Sequence, residues 1–174
     1  RPCVCLVGSR ALLPENRAFA ERIGQLAARE GFVLVSGDAA GADRAAQDAC
    51  LSAGGDVICI VPDELTRHAP REHMLFCSEE GYQCAFTSAR ALHRNHLIHA
   101  LGEKVFVAQC GLRTGGTWSG TADNLRRGLS PVFAFGDGSE AMTALASLGA
   151  ELLPQAPASI AALAPRQLSI FDDF

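Results

Sequence analysis

The residues Arg113-Thr114-Gly115-Gly116-Thr117-Trp118-Ser119-Gly120-Thr121 combine backbone freedom with hydrogen-bond donors. Glycines between a strand and a helix let backbone N–H groups approach an anion closely. The threonine and serine hydroxyls and the Arg113 guanidinium add side-chain donors. The chemistry this composition fits is the cradling of a phosphate; a plain βα turn is the other reading. Two more stretches share the pattern: Gly8-Ser9-Arg10, and Ser36-Gly37-Asp38 with Gly41-Ala42-Asp43.

Each stretch must be positioned by flanking elements, and the chain supplies them as alternating strand-like and helix-like runs. Cys3–Val7 is a short apolar run ending at Gly8. Pro14–Glu30 has helical periodicity, with Phe19, Ile23, Leu26 and Ala27 on one face, and Gly31 closes it. Phe32–Val35 predicts a strand, Asp43–Ala53 a helix and Val57–Val61 a strand. Asp63–Ala69 reads as loop, Pro70–Glu80 as a helix with Pro70 near its start, and Cys84–Phe86 as a short strand. Ser88–Leu101 is helical, followed by strand Val105–Gln109, the glycine loop, helix Thr121–Arg127 and strand Val132–Phe135. Ala141–Leu148 predicts a helix and Glu151–Leu153 an edge strand. Repeated βα units with near-continuous apolar strands predict an α/β fold: an open, mostly parallel, Rossmann-like sheet with helices on both faces. In such sheets ligands bind beyond the strand C-terminal ends, where strand order switches, and all three glycine-rich stretches follow strands. One domain over residues 1–153 is expected, with 154–174 as a linker and tail marked by Pro154, Pro157 and Pro165.

The formal net charge is −4, with 48% hydrophobic and 20% charged residues among 174. Nucleic-acid binding by bulk positive charge is excluded, so any such contact needs a local basic patch. The seven cysteines are scattered without a CxxC pair, which argues against zinc and for free thiols in a reducing cytoplasm. No apolar run reaches membrane-spanning length and no signal peptide is visible. The chain starts at Arg1 rather than Met, which leaves open a preceding segment or a larger parent protein.

Val7-Gly8-Ser9-Arg10, Val35 to Asp43 (Val-Ser-Gly-x-Ala-x-Gly-Ala-Asp), Gly54-Gly55 before a strand, Arg94-Asn95-x-x-Ile98, and Gly115-Gly116-Thr117 together resemble the Rossmann-like domain of the DNA-processing protein A (Smf) family. The likeness runs from about Cys3 to Phe135. It implies a non-catalytic recombination mediator of natural transformation that binds single-stranded DNA or a nucleotide-type phosphate. The wider superfamily includes the lonely-guy phosphoribohydrolases and nucleotide-sensing domains, so a nucleotide hydrolase and a sensor are the alternatives. The Thr114–Gly120 loop departs from the family's usual Ser-Gly-Ser. The Pro-Gly-Gly-x-Gly-Thr signature of the phosphoribohydrolases and its following Glu are absent, which argues against hydrolysis.

The expected ligand contacts are Gly8, Ser9, Arg10, Ser36, Gly37, Gly41, Asp43, Arg94, Asn95, Arg113, Gly115, Gly116 and Thr117, with no catalytic residue, metal or cofactor. Arg10, Arg94 and Arg113 would take phosphate, and Asn95 a base or backbone group. Asp38 and Asp43 fit a carboxylate pair or turn and cap contacts, and Asp43 also suits a ribose hydroxyl. His93, His96 and His99 sit three apart, so they drift round a helix instead of converging on a metal. Trp118 either stacks on a base or packs the loop down. Partner expectations are single-stranded DNA or a nucleotide, a second copy of the chain, and no membrane. Gln167-Leu168-Ser169-Ile170-Phe171 resembles the peptide with which bacterial proteins bind the replication sliding clamp.

Overall fold

A computed structural model describes residues 1–164. Its seven strands are β1 (Cys3–Val7), β2 (Val33–Ser36), β3 (Asp56–Ile60), β4 (Met74–Cys77), β5 (Lys104–Val107), β6 (Val132–Phe135) and β7 (Glu151–Leu153). The five helices are α1 (Pro14–Arg29), α2 (Ala42–Ser52), α3 (Ser88–Leu101), α4 (Gly115–Arg127) and α5 (Glu140–Ser147). All strand pairs are parallel, in the order β4-β3-β2-β1-β5-β6-β7. The expected Rossmann-like α/β sheet is therefore observed.

Strand alternation sorts the core into two layers. Val4, Leu6, Leu34, Phe106 and Phe133 face α1 and α2, with Phe19, Ile23 and Ala46 packed onto them. Cys5, Val7, Val35, Val105, Val107 and Ala134 face the other way, toward Ile98 of α3, Trp118 and Leu125 of α4, and Met142 and Leu145 of α5. Both faces are covered, which is why the strands read as continuous apolar runs. Helices α1 and α2 touch closely because Gly24 has no side chain to strike the Ala46 carbonyl.

Three local expectations are corrected. Pro70–Glu80 is not a helix: a turn with Arg71 bridged to Met74, and His73 at φ 59°, leads into β4. Met74–Cys77 is a four-residue apolar run whose periodicity fits either element. The open backbone edge of β3 decides for a strand, since Val57–Ile60 pair with it in register. Cys84–Phe86 is irregular, with Phe86 exposed. Helix α4 begins at Gly115, not Thr121, so the glycine pair forms its first turn. A single 3₁₀ turn, Leu65–Arg67, lies within the expected Asp63–Ala69 loop.

Beyond β7 the chain stays on the body. Ile160 is fully buried in the α1/α2 layer, and Lys104 Nζ donates to its carbonyl at 2.9 Å. Glu30, at the end of α1, accepts from Ser159 Oγ at 3.1 Å, Ile160 N at 3.0 Å and Ala161 N at 2.8 Å. The Gln167–Phe171 peptide lies outside the described residues.

Candidate phosphate-binding cavity

The strand order reverses between β1 and β5: β1 leads by way of α1 to β2 on one side, and β5 leads by way of α4 to β6 on the other. Their outgoing loops diverge and leave a crevice. A cavity of about 830 Å³ opens there, lined by Val7 at the end of β1 and by Gly8, Ser9, Arg10, Ala39 and Asp43 from the β1 and β2 loops and the start of α2. Ser88, Ala91, Leu92, Arg94, Asn95, Ile98 and His99 of α3, Phe86 before it, and Gly111, Thr114, Gly115, Gly116, Thr117 and Ser119 around the start of α4 complete the wall.

Nine of the thirteen residues expected from the sequence line this cavity: Gly8, Ser9, Arg10, Asp43, Arg94, Asn95, Gly115, Gly116 and Thr117. The other four do not. Ser36 is fully buried beneath it, where its hydroxyl accepts from Gln47 Nε2 at 2.9 Å. Gly37 gives room: a methyl there would overlap the Arg94 guanidinium and stand 2.8 Å from Asp43 Oδ2. Gly41 supplies the left-handed turn (φ 83°) that brings the chain onto the Ser9 and Arg10 carbonyls before α2. Arg113 is exposed in a tight turn closed by the Gly111–Thr114 bridge, at φ 52°, and its side chain is not part of the wall.

Arg94 is 8% exposed. Its Nη1 donates to the Ile60 carbonyl at 2.9 Å, its Nε has no partner, and among the described residues it forms no ion pair. Burial pushes its pKa down, with Asp43, Cys59 and Asp38 opposing. Arginine nevertheless stays charged in proteins, so the cavity floor carries a fixed positive charge that is incompletely solvated. Beside it α4 begins at Gly115 (φ 83°) with no side-chain cap from Thr114. Its first N–H groups have no helical partner and lie at the positive end of the helix dipole. Asn95 Nδ2 donates to the Gly116 carbonyl at 3.1 Å, which holds α3 against this first turn. A buried cation and an uncapped helix N-terminus line one cavity, which is the electrostatic arrangement that favours an anion.

Two further lining residues, Asp43 and His99, are buried and titratable. Burial pushes the Asp43 carboxyl up to about 6, against the pull of Arg94 and the Ala39 and Gly37 amides. His99 is fixed as a neutral ring, its pKa held down to about 4 by burial and then by His96. Asn124 Oδ1 accepts from Ser130 N at 2.9 Å, so Asn124 Nδ2 donates to His99 Nδ1 at 3.1 Å and the ring proton sits on Nε2. The three histidines of α3 have separate partners: His93 meets Glu79, His96 meets Asp123 and His99 meets Asn124. Among the described residues no cluster of three or more His, Cys, Asp or Glu side chains is gathered as for a metal. Trp118 packs against the α3/α5 core layer and does not line the cavity.

Phe86, Leu92, Ser88 and His99 were not anticipated as lining residues. For α3 the signal is present, because Ser88, Ala91, Asn95, Ile98 and His99 follow the helical period from Asn95. Phe86 has no such signal, since it depends on an irregular segment.

A family model for DNA recombination-mediator protein A matches residues 1–164. The chain belongs to that family. The resemblance carried by Val35–Asp43 and Arg94-Asn95 is thereby borne out. Among solved structures, DNA processing protein A from Streptococcus pneumoniae is 29% identical with a TM-score of 0.75, over 88% of this chain and 59% of that one. The chain thus spans well under two thirds of that relative. DNA processing protein A from Helicobacter pylori, in a structure concerned with its single-stranded DNA binding mode, is 21% identical with a TM-score of 0.70, over 87% of this chain and 74% of that one. The molybdenum cofactor carrier protein from Chlamydomonas reinhardtii shares the fold at 18% identity and a TM-score of 0.71, over 89% and 90%. No curated protein sequence matches the chain. Among the described residues no helix is long and apolar enough to cross a membrane.

Proposed function

We propose that this domain binds a phosphate of single-stranded DNA, or of a nucleotide-type ligand, in the cavity between β1 and β5, as a non-catalytic recombination mediator. The observation that carries this reading is Arg94, a buried guanidinium hydrogen-bonded to a backbone carbonyl and only faced by Asp43 across Gly37, beside the uncapped start of α4. Arg10 at the rim is the second cation, and exposed Phe86 and Leu92 offer an apolar wall for a base. Family membership and the single-stranded DNA binding of the Helicobacter relative support the choice of nucleic acid over a free anion. Ser36, Gly37 and Gly41 then serve the site by shaping it, and Arg113 stands ready to meet the strand outside it. A second copy of the chain and the sliding clamp, met through Gln167–Phe171, are the proposed protein partners.

The test is fluorescence anisotropy of a labelled oligothymidylate at several salt concentrations. Binding should weaken with salt by about 0.7 log units per log unit for each phosphate contact. Absence of binding at low salt refutes the reading. Release of free base from AMP, abolished by Asp43→Asn, would favour a hydrolase instead.

A further inference from the structure

The cavity holds a buried carboxylate next to its buried cation, and the charge of that carboxylate bears on any phosphate that enters. Asp43 is 6% exposed and lines the same wall as Arg94. The two side chains converge over Gly37, whose missing side chain leaves the space between them. Arg94 Nη1 and Asp43 Oδ2 face each other across that space without a hydrogen bond, so the guanidinium's field is shared between Asp43 and whatever enters the cavity. The charged and titratable groups around Asp43 come from four directions: Arg94 on α3, Arg10 after β1, Asp38 after β2 and the Cys59 thiol on β3. Asp38 is itself held by Arg44 at 2.7 Å and lies 3.6 Å from His68 Nδ1, which leaves Arg94 as the main positive influence on Asp43.

We propose that Asp43 is a charge filter, which makes the cavity take a singly charged phosphodiester, turn away a doubly charged phosphate monoester, and gain a proton when an anion enters. This rests on the reading of the cavity as a phosphate site. An anion beside Arg94 draws on the same positive field that keeps Asp43 ionised. The carboxylate then faces a like charge in a poorly solvated site, and protonation relieves the repulsion. One proton moves from solvent to Asp43 Oδ, and the resulting O–H donates to a phosphate oxygen. No bond to the ligand forms or breaks. The free carboxyl titrates near 6, within reach of neutral pH, so the uptake is accessible under ordinary conditions. At a pH where Asp43 stays ionised, a second negative charge on the ligand doubles the repulsion, so a doubly charged monoester loses more affinity to Asp43 than a diester does. The linkage sign follows: the bound state prefers protonated Asp43, so affinity rises as pH falls toward about 6 and levels off below it.

The experiment is isothermal titration calorimetry with two probes. One is 5′-hydroxyl hexathymidylate, which carries only diester phosphates and does not titrate between pH 5 and 8. The other is thymidine monophosphate, whose phosphate is doubly charged at pH 8. Titrations at pH 7 in two buffers of different ionisation enthalpy count the protons taken up. The wild-type protein should take up a proton with the hexamer and bind it more tightly at pH 6 than at pH 8. Asp43→Asn should take up none, lose the pH dependence, and bind the monophosphate at pH 8 about tenfold more tightly than wild type, the scale of one removed like charge a few ångströms away. The hexamer should gain less. A wild-type protein that binds the hexamer without proton uptake overturns the filter, and so does an Asp43→Asn protein that changes both ligands by the same factor. A wild-type protein that binds neither probe overturns the phosphate reading itself. The wild-type proton count stands even if the variant folds poorly.

Discussion

Replacing Arg94 with Met separates binding from stability. The guanidinium is 8% exposed, and its Nη1 donates to the Ile60 carbonyl at 2.9 Å. Methionine keeps much of the volume and removes the charge. A hydrogen bond to a charged group contributes about 1.5–3 kcal/mol, so loss of one phosphate contact should weaken oligothymidylate binding roughly 10- to 150-fold. The single-strand salt slope should fall by about 0.7. Folding stability responds differently. The lost Ile60 bond and the buried Asp43 left without its cation each cost about 1 kcal/mol or more, protonation of Asp43 limiting the second, while relief from burying the guanidinium works in the opposite direction, so the net change should stay within about 2 kcal/mol. The assay pairs anisotropy titrations at 50–200 mM salt with urea denaturation followed by circular dichroism. A folded Arg94→Met protein with unchanged affinity and salt slope would refute the reasoning. A protein that lost several kcal/mol would show Arg94 to be a structural strut instead.

Asp43 and His99 pull the pH dependence of stability in opposite directions. Asp43 is raised from 3.8 to about 6, so its contribution is full below 3.8 and lost as pH rises through about 6, whereas His99 is lowered from 6.5 to about 4, so its contribution is present above 6.5 and lost as pH falls through about 4. Asp43→Asn should therefore be more stable than wild type at pH 7 by about 1–3 kcal/mol and should lose stability steadily from pH 6.5 to 4; equal urea midpoints for the two proteins across that range would contradict this. Ile160→Ala empties a fully buried position and should cost about 2–5 kcal/mol by the same denaturation, whereas a loss under 1 kcal/mol would mean that the segment beyond β7 does not hold the body. Leu168→Ala with Phe171→Ala should abolish capture of the chain by the cognate sliding clamp, and binding that survives both changes removes the clamp from the proposed partners.

The sheet was legible in the sequence because each central strand is buried on both faces. Val4–Val7, Val105–Val107 and Val132–Phe135 leave no polar residue to blur the run. The β4 segment was not legible, because four apolar residues carry too little period to distinguish strand from helix and the deciding influence is the distant edge of β3. The start of α4 was placed late because glycine is a poor helix former in isolation. Here Gly115 and Gly116 occupy the first turn, where Asn95 Nδ2 would lie 3.0 Å from a methyl on Gly116. Most of the cavity was legible from loops that follow strands. Phe86 was not, since nothing local marks an irregular residue that joins a wall built by elements far away in the chain.

Arg90 and Arg94 lie one turn apart on α3 and look equivalent in the sequence; their anchors tell them apart. Arg90 donates to the carbonyls of Pro62 at 3.0 Å, Glu80 at 3.0 Å and Gly81 at 3.2 Å, and meets Glu79 at 3.5 Å. Its donors and charge are spent on tying down the 79–81 loop. Arg44 and Arg127 are likewise matched, to Asp38 and Asp123. Arg94 is held by one neutral carbonyl, which orients the guanidinium without neutralising it. A carboxylate in that place would have fixed the side chain equally well and quenched the field in the cavity. In a chain with a net charge of −4, attraction for a phosphate cannot come from the surface as a whole. It must come from a cation that the fold anchors on a backbone carbonyl, with Asp43 close enough to share its field but not hydrogen-bonded to it.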